Sequence, residues 1–305
     1  MSYHVVTIES TKAELNCVDG QLVCTTAEGR RQLPLDDIAA IVVCCFSAKI
    51  EMLLLTEAAE RGIGVVLCKT FKPACIMLPA LRNTDTALTR VWERVPQDFL
   101  AAAWQKTIDA KCRNQECLAR AWCPDSPAIV KIQEWTRDGR LDKEAAVSRL
   151  YWGVFREYLG DFDFLRLRNE GVSNCALDYG YAVLLARILQ TCFACGLDPT
   201  FGIGHATAER STPLAYDLME PFRPLVDARV MSWLKNTRPL PMELDSAFKH
   251  HLVPFLQESI TYKARPRQVQ TVVELAIRSF RKCLLEQNLE IYEPWTATNS
   301  KWAGC

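Results

Sequence analysis

Apolar and polar residues follow different patterns in the first quarter of the chain and in the remainder. Residues 3–78 contain short apolar runs rich in β-branched side chains, and turn signals such as Asp19-Gly20 separate these runs. Beyond residue 86, apolar side chains recur at the three- and four-residue spacing of helices. The pattern predicts an α+β fold, in which a small N-terminal mainly-β domain precedes a larger all-α domain.

A polar stretch between these parts indicates where the domains meet. Residues 82–85 break the periodicity, so we place a linker at 81–86, between a β-rich domain at 1–80 and a helical domain at 87–292. A proline and small polar residues follow, and we expect residues 293–305 to form a flexible tail. The predicted helices span residues 87–95, 98–121, 127–136, 142–158, 174–195, 213–234, 244–257 and 266–287.

The composition predicts a cytoplasmic protein without a membrane partner. No apolar run approaches the roughly 20 residues that cross a bilayer, and the N-terminus lacks the features of a secretory signal. The formal net charge is zero, so charge alone does not indicate a nucleic-acid partner. Residues 261–282, however, hold six basic residues and one acid, a patch that can either neutralise phosphates or form an ordinary solvated helix face.

The chain has fourteen cysteines, and their positions predict reduced, buried thiols rather than disulfides. Cys44 and Cys45, for example, lie inside an apolar run. Cys192 and Cys195 form a CxxC pair, but a structural zinc site usually needs a second pair at similar spacing. We therefore assign this pair to the core.

The stretch GIGHATAERSTPLAYDLMEPFRPLVD, residues 202–227, concentrates the candidate chemistry of the chain. His205 follows glycines in a predicted loop, and the carboxylates of Asp217 and Glu220 come three residues apart. These groups favour either a site for a hard metal ion or a buried histidine bonded to an ordinary acidic helix. The pattern of this stretch alone leaves both interpretations open.

The prolines of the same stretch predict how its helix begins and ends. Thr212 and Pro213 are typical of an N-cap and a first helical residue, so Asp217 and Glu220 should share one face of the helix. Pro221 lacks an amide hydrogen and clashes with the preceding turn, so the helix should kink or stop just after Glu220.

Two further segments carry polar groups that need an explanation. Glu144 lies among alanines and aromatic residues, where a carboxylate is costly unless it is paired or bound to a cation; the alternative is a first-turn acid that favours the helix dipole. Arg166 and Arg168 precede a long apolar helix that begins near Asn174. Arginines in such a loop suit phosphate contacts, although ordinary surface charge gives the same pattern.

These segments occur in an order that resembles a known family, the CRISPR-associated spacer-acquisition integrase, which is the universal adaptation nuclease of CRISPR systems. One departure concerns Gly204, because the residue before the histidine is usually bulky and apolar in that family; the loop should therefore pack differently here. The segments that carry the resemblance are Glu144-Ala-Ala…Tyr151-Trp152, Asn174…Gly180-Tyr181, Gly202…His205 and Asp217-Leu-Met-Glu220-Pro-Phe-Arg223-Pro…Asp227.

The resemblance implies a metal-dependent DNA endonuclease and integrase, with the helical domain as the catalytic domain. Such an enzyme joins the 3′-OH ends of short foreign DNA, called prespacers, to the CRISPR repeat by phosphodiester transesterification. The implied ligands of one Mg²⁺ or Mn²⁺ ion are Glu144, His205 and Glu220. Asp217 would assist them, either by orienting groups or by contacting a DNA end. Carboxylates and one imidazole suit these ions better than a closed zinc site.

The resemblance also implies partners and a set of DNA contacts. The family forms homodimers through the β-rich domains, and two dimers flank two copies of a small ferredoxin-like partner. Four copies of this chain would thus share the heterohexamer, which holds double-stranded DNA, both the prespacer and the CRISPR repeat with its leader. The alternative is a non-catalytic DNA-binding scaffold whose acids form a salt-bridged core. The candidate DNA-binding residues are Arg166, Arg168, Arg210, Tyr216, Arg223, Lys263, Arg265 and Arg267.

Overall fold

The computed structural model of the chain confirms the α+β fold, with strands first and helices over most of the remainder. It describes residues 4–297 apart from residues 9, 11, 44, 46, 70–71, 79–85, 138–141, 169, 206–211, 238–243 and 245. The predicted linker falls largely outside the described residues, so the domain boundaries remain a prediction.

The strands of the N-terminal part form two four-stranded sheets. In the first sheet, of order β1-β5-β7-β8, only the last pair is antiparallel. In the second, of order β4-β3-β2-β6, only β2 and β6 are parallel. The strands are β1 (His4–Ile8), β2 (Glu14–Val18), β3 (Gln21–Thr26), β4 (Gly29–Pro34), β5 (Ile38–Val43), β6 (Lys49–Ile50), β7 (Gly64–Lys69) and β8 (Lys72–Leu78).

A tight turn sets the register of the second sheet. Asp19 and Gly20 both have positive φ, 49° and 72°, and they join Val18 to its partner Gln21 in a two-residue hairpin. That geometry matches the strand twist, which explains why Asp-Gly predicted the turn correctly. The turn directs alternate residues of β2 into a small core between the sheets and helix α1 (Met52–Glu60).

The remainder of the chain is helical around a second, larger core. One hairpin interrupts it, formed by β9 (Ser259–Tyr262) and β10 (Arg265–Gln268). The helices are α2 (Thr86–Arg94), α3 (Gln97–Trp122), α4 (Ala128–Arg137), α5 (Lys143–Leu159), α6 (Gly171–Ala194), α7 (Pro213–Met219), α8 (Arg223–Asn236), α9 (Ser246–Leu252) and α10 (Val269–Glu286).

Helix α6 is the central element of this core. It packs against α7, α8 and α10 on one side and against strands β7 and β8 on the other, so most of its circumference is buried. The crossing with α8 is close, because a β-carbon added at Gly180 would overlap the side chain of Val226. Gln190 also donates a hydrogen bond to the carbonyl of Gly62 and so fastens the β-rich part to this helix.

Two expectations need correction. The helical part is not purely α, because β9 and β10 lie where a loop and a helix start were predicted. Their turn uses Lys263 and Ala264 at positive φ, 50° and 58°, instead of the glycine or asparagine that usually announces such a turn. Lys263 then pairs with Glu293 beside the hairpin.

The predicted flexible tail from residue 293 is also wrong for residues 293–297. Trp295 is fully buried, and its indole nitrogen donates to the carbonyl of Thr261 over 3.1 Å. Asn114 holds the same segment by accepting a hydrogen bond from the amide of Ala297, at 2.7 Å. Residues 298–305 lie outside the described part of the chain.

Two negative expectations concern the membrane and the cysteines. No helix among the described residues is long and apolar enough to cross a membrane. Cys192 and Cys195 are buried free thiols at the end of α6, as expected of core side chains.

Candidate active site

The loop that carries His205 is folded around one buried carboxylate. Asp217, on α7, is fully buried and accepts hydrogen bonds from three successive backbone amides: Ile203 at 2.6 Å, Gly204 at 2.9 Å and His205 at 3.0 Å. Gly202 is required at the base of this loop, because a β-carbon there would overlap the carbonyl of His205. A single acid therefore fixes the path of the loop.

The same carboxylate orients the His205 ring. Nδ1 of the imidazole lies 2.5 Å from Oδ1 of Asp217; a carboxylate only accepts, so it favours the tautomer of the neutral ring that has its proton on Nδ1 and its lone pair on Nε2. Trp104 meets the ring edge-on at 5.6 Å and Tyr216 lies 6.5 Å away, measured between ring centroids. Asp217 thus acts on the loop and on His205, rather than facing solvent.

Gly204 stands where the family resemblance leads us to expect a bulky apolar residue. A β-carbon at this position would overlap the indole of Trp104, which comes from α3. The space that an apolar side chain of the loop would fill is thus occupied by an aromatic side chain from a neighbouring helix. A larger residue at position 204 would therefore require Trp104 to move.

We expect Gly204→Ala to destabilise the protein through this overlap. Forcing a methyl group into a filled site typically costs 1–3 kcal/mol, and Trp104→Ala should relieve most of the clash. Thermal unfolding of both single variants and the double variant measures the coupling. Additive effects would show that the two positions do not compete for the same space.

The predicted break after Glu220 is confirmed. Helix α7 ends at Met219, a single 3₁₀ turn covers residues 220–222, and α8 begins at Arg223. The side-chain amide of Asn114 donates to the carbonyl of Pro221 over 2.7 Å and ties this turn to α3. The break turns Glu220 inward, toward α3 and α5.

Glu220 is the centre of a buried ionic cluster. Its Oε1 accepts a hydrogen bond from Nε of Arg223 at 2.8 Å, and its Oε2 lies 2.7 Å from Nζ of Lys111. The same ammonium donates to Oε1 of Glu144, at 2.6 Å. One lysine therefore bridges the two carboxylates that α5 and the 220–222 turn contribute.

The charges of this cluster support each other. Burial alone would raise the pKa of Glu220, but Arg223 and Lys111 outweigh burial and lower this pKa to about 2. Burial alone would lower the pKa of Lys111, but the carboxylates of Glu220 and Glu144 raise it. At neutral pH, Glu220 is therefore ionised and Lys111 is protonated.

We expect Glu220→Gln to change how stability depends on pH. The folded-state pKa of about 2 lies below the ordinary 4.5, so the carboxylate contributes stability above pH 4.5 and loses it as the pH falls toward 2. The glutamine variant should be less stable at neutral pH by on the order of 2–4 kcal/mol. Denaturant titrations between pH 3 and 7 measure this effect. The prediction is contradicted if the free energies of unfolding of the wild type and the variant change in parallel with pH.

A third buried carboxylate joins three helices behind the site. Asp227, on α8, accepts hydrogen bonds from the hydroxyl of Tyr151 on α5, at 2.8 Å, and from that of Tyr181 on α6. Burial raises the pKa of Asp227 to about 6, although these hydrogen bonds oppose the change. Arg223 stacks on Tyr181 at 4.6 Å and so connects this network to Glu220.

The donor groups fit a hard divalent cation. Glu144 and Glu220 offer carboxylate oxygens, and His205 offers Nε2. Oε2 of Glu220 is buried and makes no hydrogen bond of normal geometry, despite the nearby ammonium. Within the described ranges, however, no three His, Cys, Asp or Glu side chains are arranged as a metal site. Lys111 lies between the two carboxylates.

The predicted DNA-binding residues fall into three kinds of position. Arg166 and Arg223 are turned inward: Arg166 pairs with Asp178, and Arg223 pairs with Glu220. Arg168 is exposed, and Tyr216 is half-buried beside His205. On the hairpin, Lys263 and Arg265 are exposed and Arg267 is half-buried, and Arg210 lies outside the described residues. The inward arginines have structural partners, which argues against a role as free phosphate contacts.

The sequence pattern did not reveal that α3 contributes buried polar side chains to the site. Thr107, Lys111, Asn114 and Gln115 are all buried on one face of this helix. At a spacing of i, i+4, i+7 and i+8 they look like an ordinary solvated stripe. The sequence feature that could have revealed these buried residues is a polar stripe on a long helix that also carries an apolar stripe.

With this geometry in place, comparison with known proteins identifies the family. The model of the family "CRISPR associated protein Cas1" matches residues 6–243, so the chain belongs to that family. The CRISPR-associated endonuclease Cas1 of Neisseria meningitidis serogroup C (strain 8013) is 28% identical over 261 residues, which cover 84% of each protein.

Solved structures show the same fold at low sequence identity. A casposase bound to integration product superimposes with a TM-score of 0.75 at 17% identity, covering 97% of this chain and 93% of that one. A Cas6-RT-Cas1–Cas2 complex contains a chain that superimposes with a TM-score of 0.75 at 14% identity, covering 97% of this chain and 36% of that one.

Proposed function

We propose that this protein is a metal-dependent DNA endonuclease and integrase of CRISPR adaptation, which joins the 3′-OH ends of prespacers to the CRISPR repeat by transesterification. The observation that supports this proposal best is that Lys111 bridges Glu144 and Glu220, while Asp217 orients His205 on the loop before α7, in a member of the Cas1 family. The relative from Neisseria meningitidis is named an endonuclease, and the casposase structure holds an integration product.

In this proposal Glu144, His205 and Glu220 hold one Mg²⁺ or Mn²⁺ ion. When bound, the ion would withdraw charge from the reacting phosphate and stabilise the leaving oxygen. His205 presents Nε2 because Asp217 holds the proton on Nδ1. Arg223 keeps Glu220 ionised and in place.

We further propose that DNA approaches the site over exposed basic and aromatic groups. Tyr216 stands beside His205, where it can contact a strand end. Arg168 and the β9–β10 hairpin, with Lys263, Arg265 and Arg267, carry charge suited to phosphates. Arg210 remains a candidate from the sequence, whereas Arg166 and Arg223 would support the site from behind.

The proposed assembly follows the family. Two homodimers of this chain, joined through the β-rich parts, would flank two copies of the small ferredoxin-like partner, and the whole would hold prespacer and repeat DNA. A chain of a Cas1–Cas2 complex shares the fold, which supports a second protein as a partner. Mass measurement of the mixed proteins would test the ratio of four to two.

The direct test of function uses a branched DNA that mimics an integration intermediate. We expect the purified chain to resolve this branch and rejoin the strand with Mn²⁺ or Mg²⁺, and to do neither with a chelator. Salt-sensitive DNA binding without any metal-dependent strand transfer, with or without the partner protein, would contradict the proposal.

A DNA-binding scaffold is the second candidate, and one observation favours it. Glu144 and Glu220 are bridged by Lys111 and backed by Arg223, as in a salt-bridged core. A scaffold would bind DNA equally well in chelator and in Mn²⁺, and His205→Ala would leave its function unchanged.

A further inference from the structure

Lys111 occupies the position between the two candidate carboxylate ligands. Its Nζ lies 2.6 Å from Oε1 of Glu144 and 2.7 Å from Oε2 of Glu220. The lysine side chain is only 10% exposed, so solvent does little to screen these contacts. The two acids therefore share one internal cation.

The helix that carries Lys111 is held firmly beside the site. Helix α3 packs against α5, which carries Glu144, and against the 220–222 turn. One turn further along α3, Asn114 donates to the carbonyl of Pro221 over 2.7 Å. The ammonium is thus delivered to the carboxylates by a fixed backbone, and only the flexible lysine side chain can move.

Lys111 balances the charge of the two carboxylates and therefore affects whether another cation can bind there. Lys111 and Arg223 together neutralise Glu144 and Glu220. A divalent cation added to that neutral group would leave it with a net charge of two positive units and would lie close to two resident cations, and like charges a few ångströms apart repel strongly in a partly buried site. A cation can enter at low cost only if the ammonium leaves.

A metal ion can replace the contact of Lys111 with Glu220. The ammonium lies 2.7 Å from Oε2 of Glu220, and the attraction between opposite charges that holds it there is one that a divalent ion also supplies. Arg223, in contrast, donates a directed hydrogen bond to Oε1 and can stay in place.

We propose that Lys111 is a resident counter-cation that competes with the divalent metal for Glu144 and Glu220, and that it turns to a DNA phosphate when the metal enters. The inference rests on the proposed function. It makes metal binding and DNA binding mutually favourable, because the phosphate gives the displaced ammonium a new partner. The site would then take up its metal mainly when DNA is present.

The test is Mn²⁺ binding by the full chain, followed through the paramagnetic resonance signal of free Mn²⁺. In Lys111→Met the competitor is gone, so without DNA we expect a dissociation constant lower by about 5–150-fold, the usual range of such coupling. Branched DNA should tighten Mn²⁺ binding strongly in the wild type and little in the variant. Lys111→Gln, which is neutral but can still donate to one acid, should behave in the same direction.

Thermal unfolding provides a second readout and a check on folding. Without metal, Lys111→Met should melt at lower temperature because two carboxylates face each other, and Mn²⁺ should restore more stability than in the wild type. Lys106→Met is the matched control, since Lys106 is a half-buried lysine of the same helix that donates instead to the carbonyl of Leu289, at 2.8 Å. Its Mn²⁺ affinity should equal that of the wild type.

The outcomes separate this inference from the proposed function. Tighter Mn²⁺ binding in both Lys111 variants, dependent on His205, supports the competition. A second result is that Mn²⁺ binding is unchanged or weaker in both Lys111 variants, while His205→Ala abolishes Mn²⁺ binding. That result overturns the role of Lys111 but still supports the metal site. The absence of any His205-dependent Mn²⁺ binding, with and without DNA, would overturn the metal site and the proposed function as well.

Discussion

His205→Ala is expected to reduce metal-dependent resolution of branched DNA to the level seen in chelator. The imidazole supplies the one nitrogen donor of the proposed site, and alanine offers no side-chain ligand in its place. The fold should survive, because Asp217 would still accept the amide hydrogen bonds of Ile203 and Gly204. Strand transfer by the variant in Mn²⁺ is the measurement.

His251→Ala is the control for that experiment. His251 is also half-buried, but its Nε2 contacts the carbonyl of Arg229 at 3.0 Å, on a different part of the helical domain. This variant should retain strand transfer. Full activity of the His205 variant, or equal loss in both variants, would contradict the assignment.

Asp217→Asn is expected to lower the rate of the same reaction by about 10–100-fold, the usual effect of removing a carboxylate that orients a metal-binding histidine. An amide has one acceptor oxygen, so it cannot satisfy both the Nδ1 proton of His205 and the three amides of the loop. The imidazole would lose its fixed tautomer, and the loop would lose part of its anchor. Rates over a range of Mn²⁺ concentrations measure the effect.

The Asp217 variant also distinguishes an orienting residue from a DNA contact. If Asp217 orients His205, the variant should bind Mn²⁺ more weakly while its affinity for branched DNA in chelator stays unchanged. A loss of DNA affinity with normal Mn²⁺ binding would instead make Asp217 a contact for the strand end. Asp161→Asn, whose side-chain oxygen can still accept the local turn hydrogen bond from the backbone amide of Asp163, should be neutral in both assays.

Local signals in the sequence predicted the parts of the fold that local chemistry controls. The Asp19-Gly20 turn and the helix break at Pro221 follow from backbone properties of those residues, and both are present. The β9–β10 hairpin was missed because Lys263 and Ala264 adopt positive φ without a residue type that favours it. The residue types at the turn therefore gave no signal for it.

Local sequence signals were also insufficient to predict the whole candidate site. The order of motifs along the chain singled out Glu144, His205 and Glu220, whose role as metal ligands remains a prediction. Lys111 could not be found in this way, because its partners lie 33 and 109 positions away in the sequence. Arg166 was expected to face DNA, yet its partner Asp178 lies on a helix that begins after the loop. Charge in a sequence does not reveal which way a side chain turns.

The glutamate prediction needs a similar adjustment. From the sequence, replacing Glu220 by alanine should remove activity and leave the fold intact. In the structure this carboxylate is only 3% exposed and faces Arg223 and Lys111, so the alanine variant would leave two buried cations without their partner. Glu220→Gln keeps the shape but also removes the negative charge, so strand transfer by either variant tests the chemistry only where denaturant titration shows that the variant is folded.

The most direct measurement of the central claim is the position of Mn²⁺ in crystals of the protein with branched DNA, located by anomalous diffraction. We predict one site at which Glu144, Glu220 and Nε2 of His205 all coordinate the ion, with Nδ1 still bonded to Asp217 and Lys111 moved off the carboxylates. An ion bound elsewhere, or by Asp217 in place of His205, would contradict it.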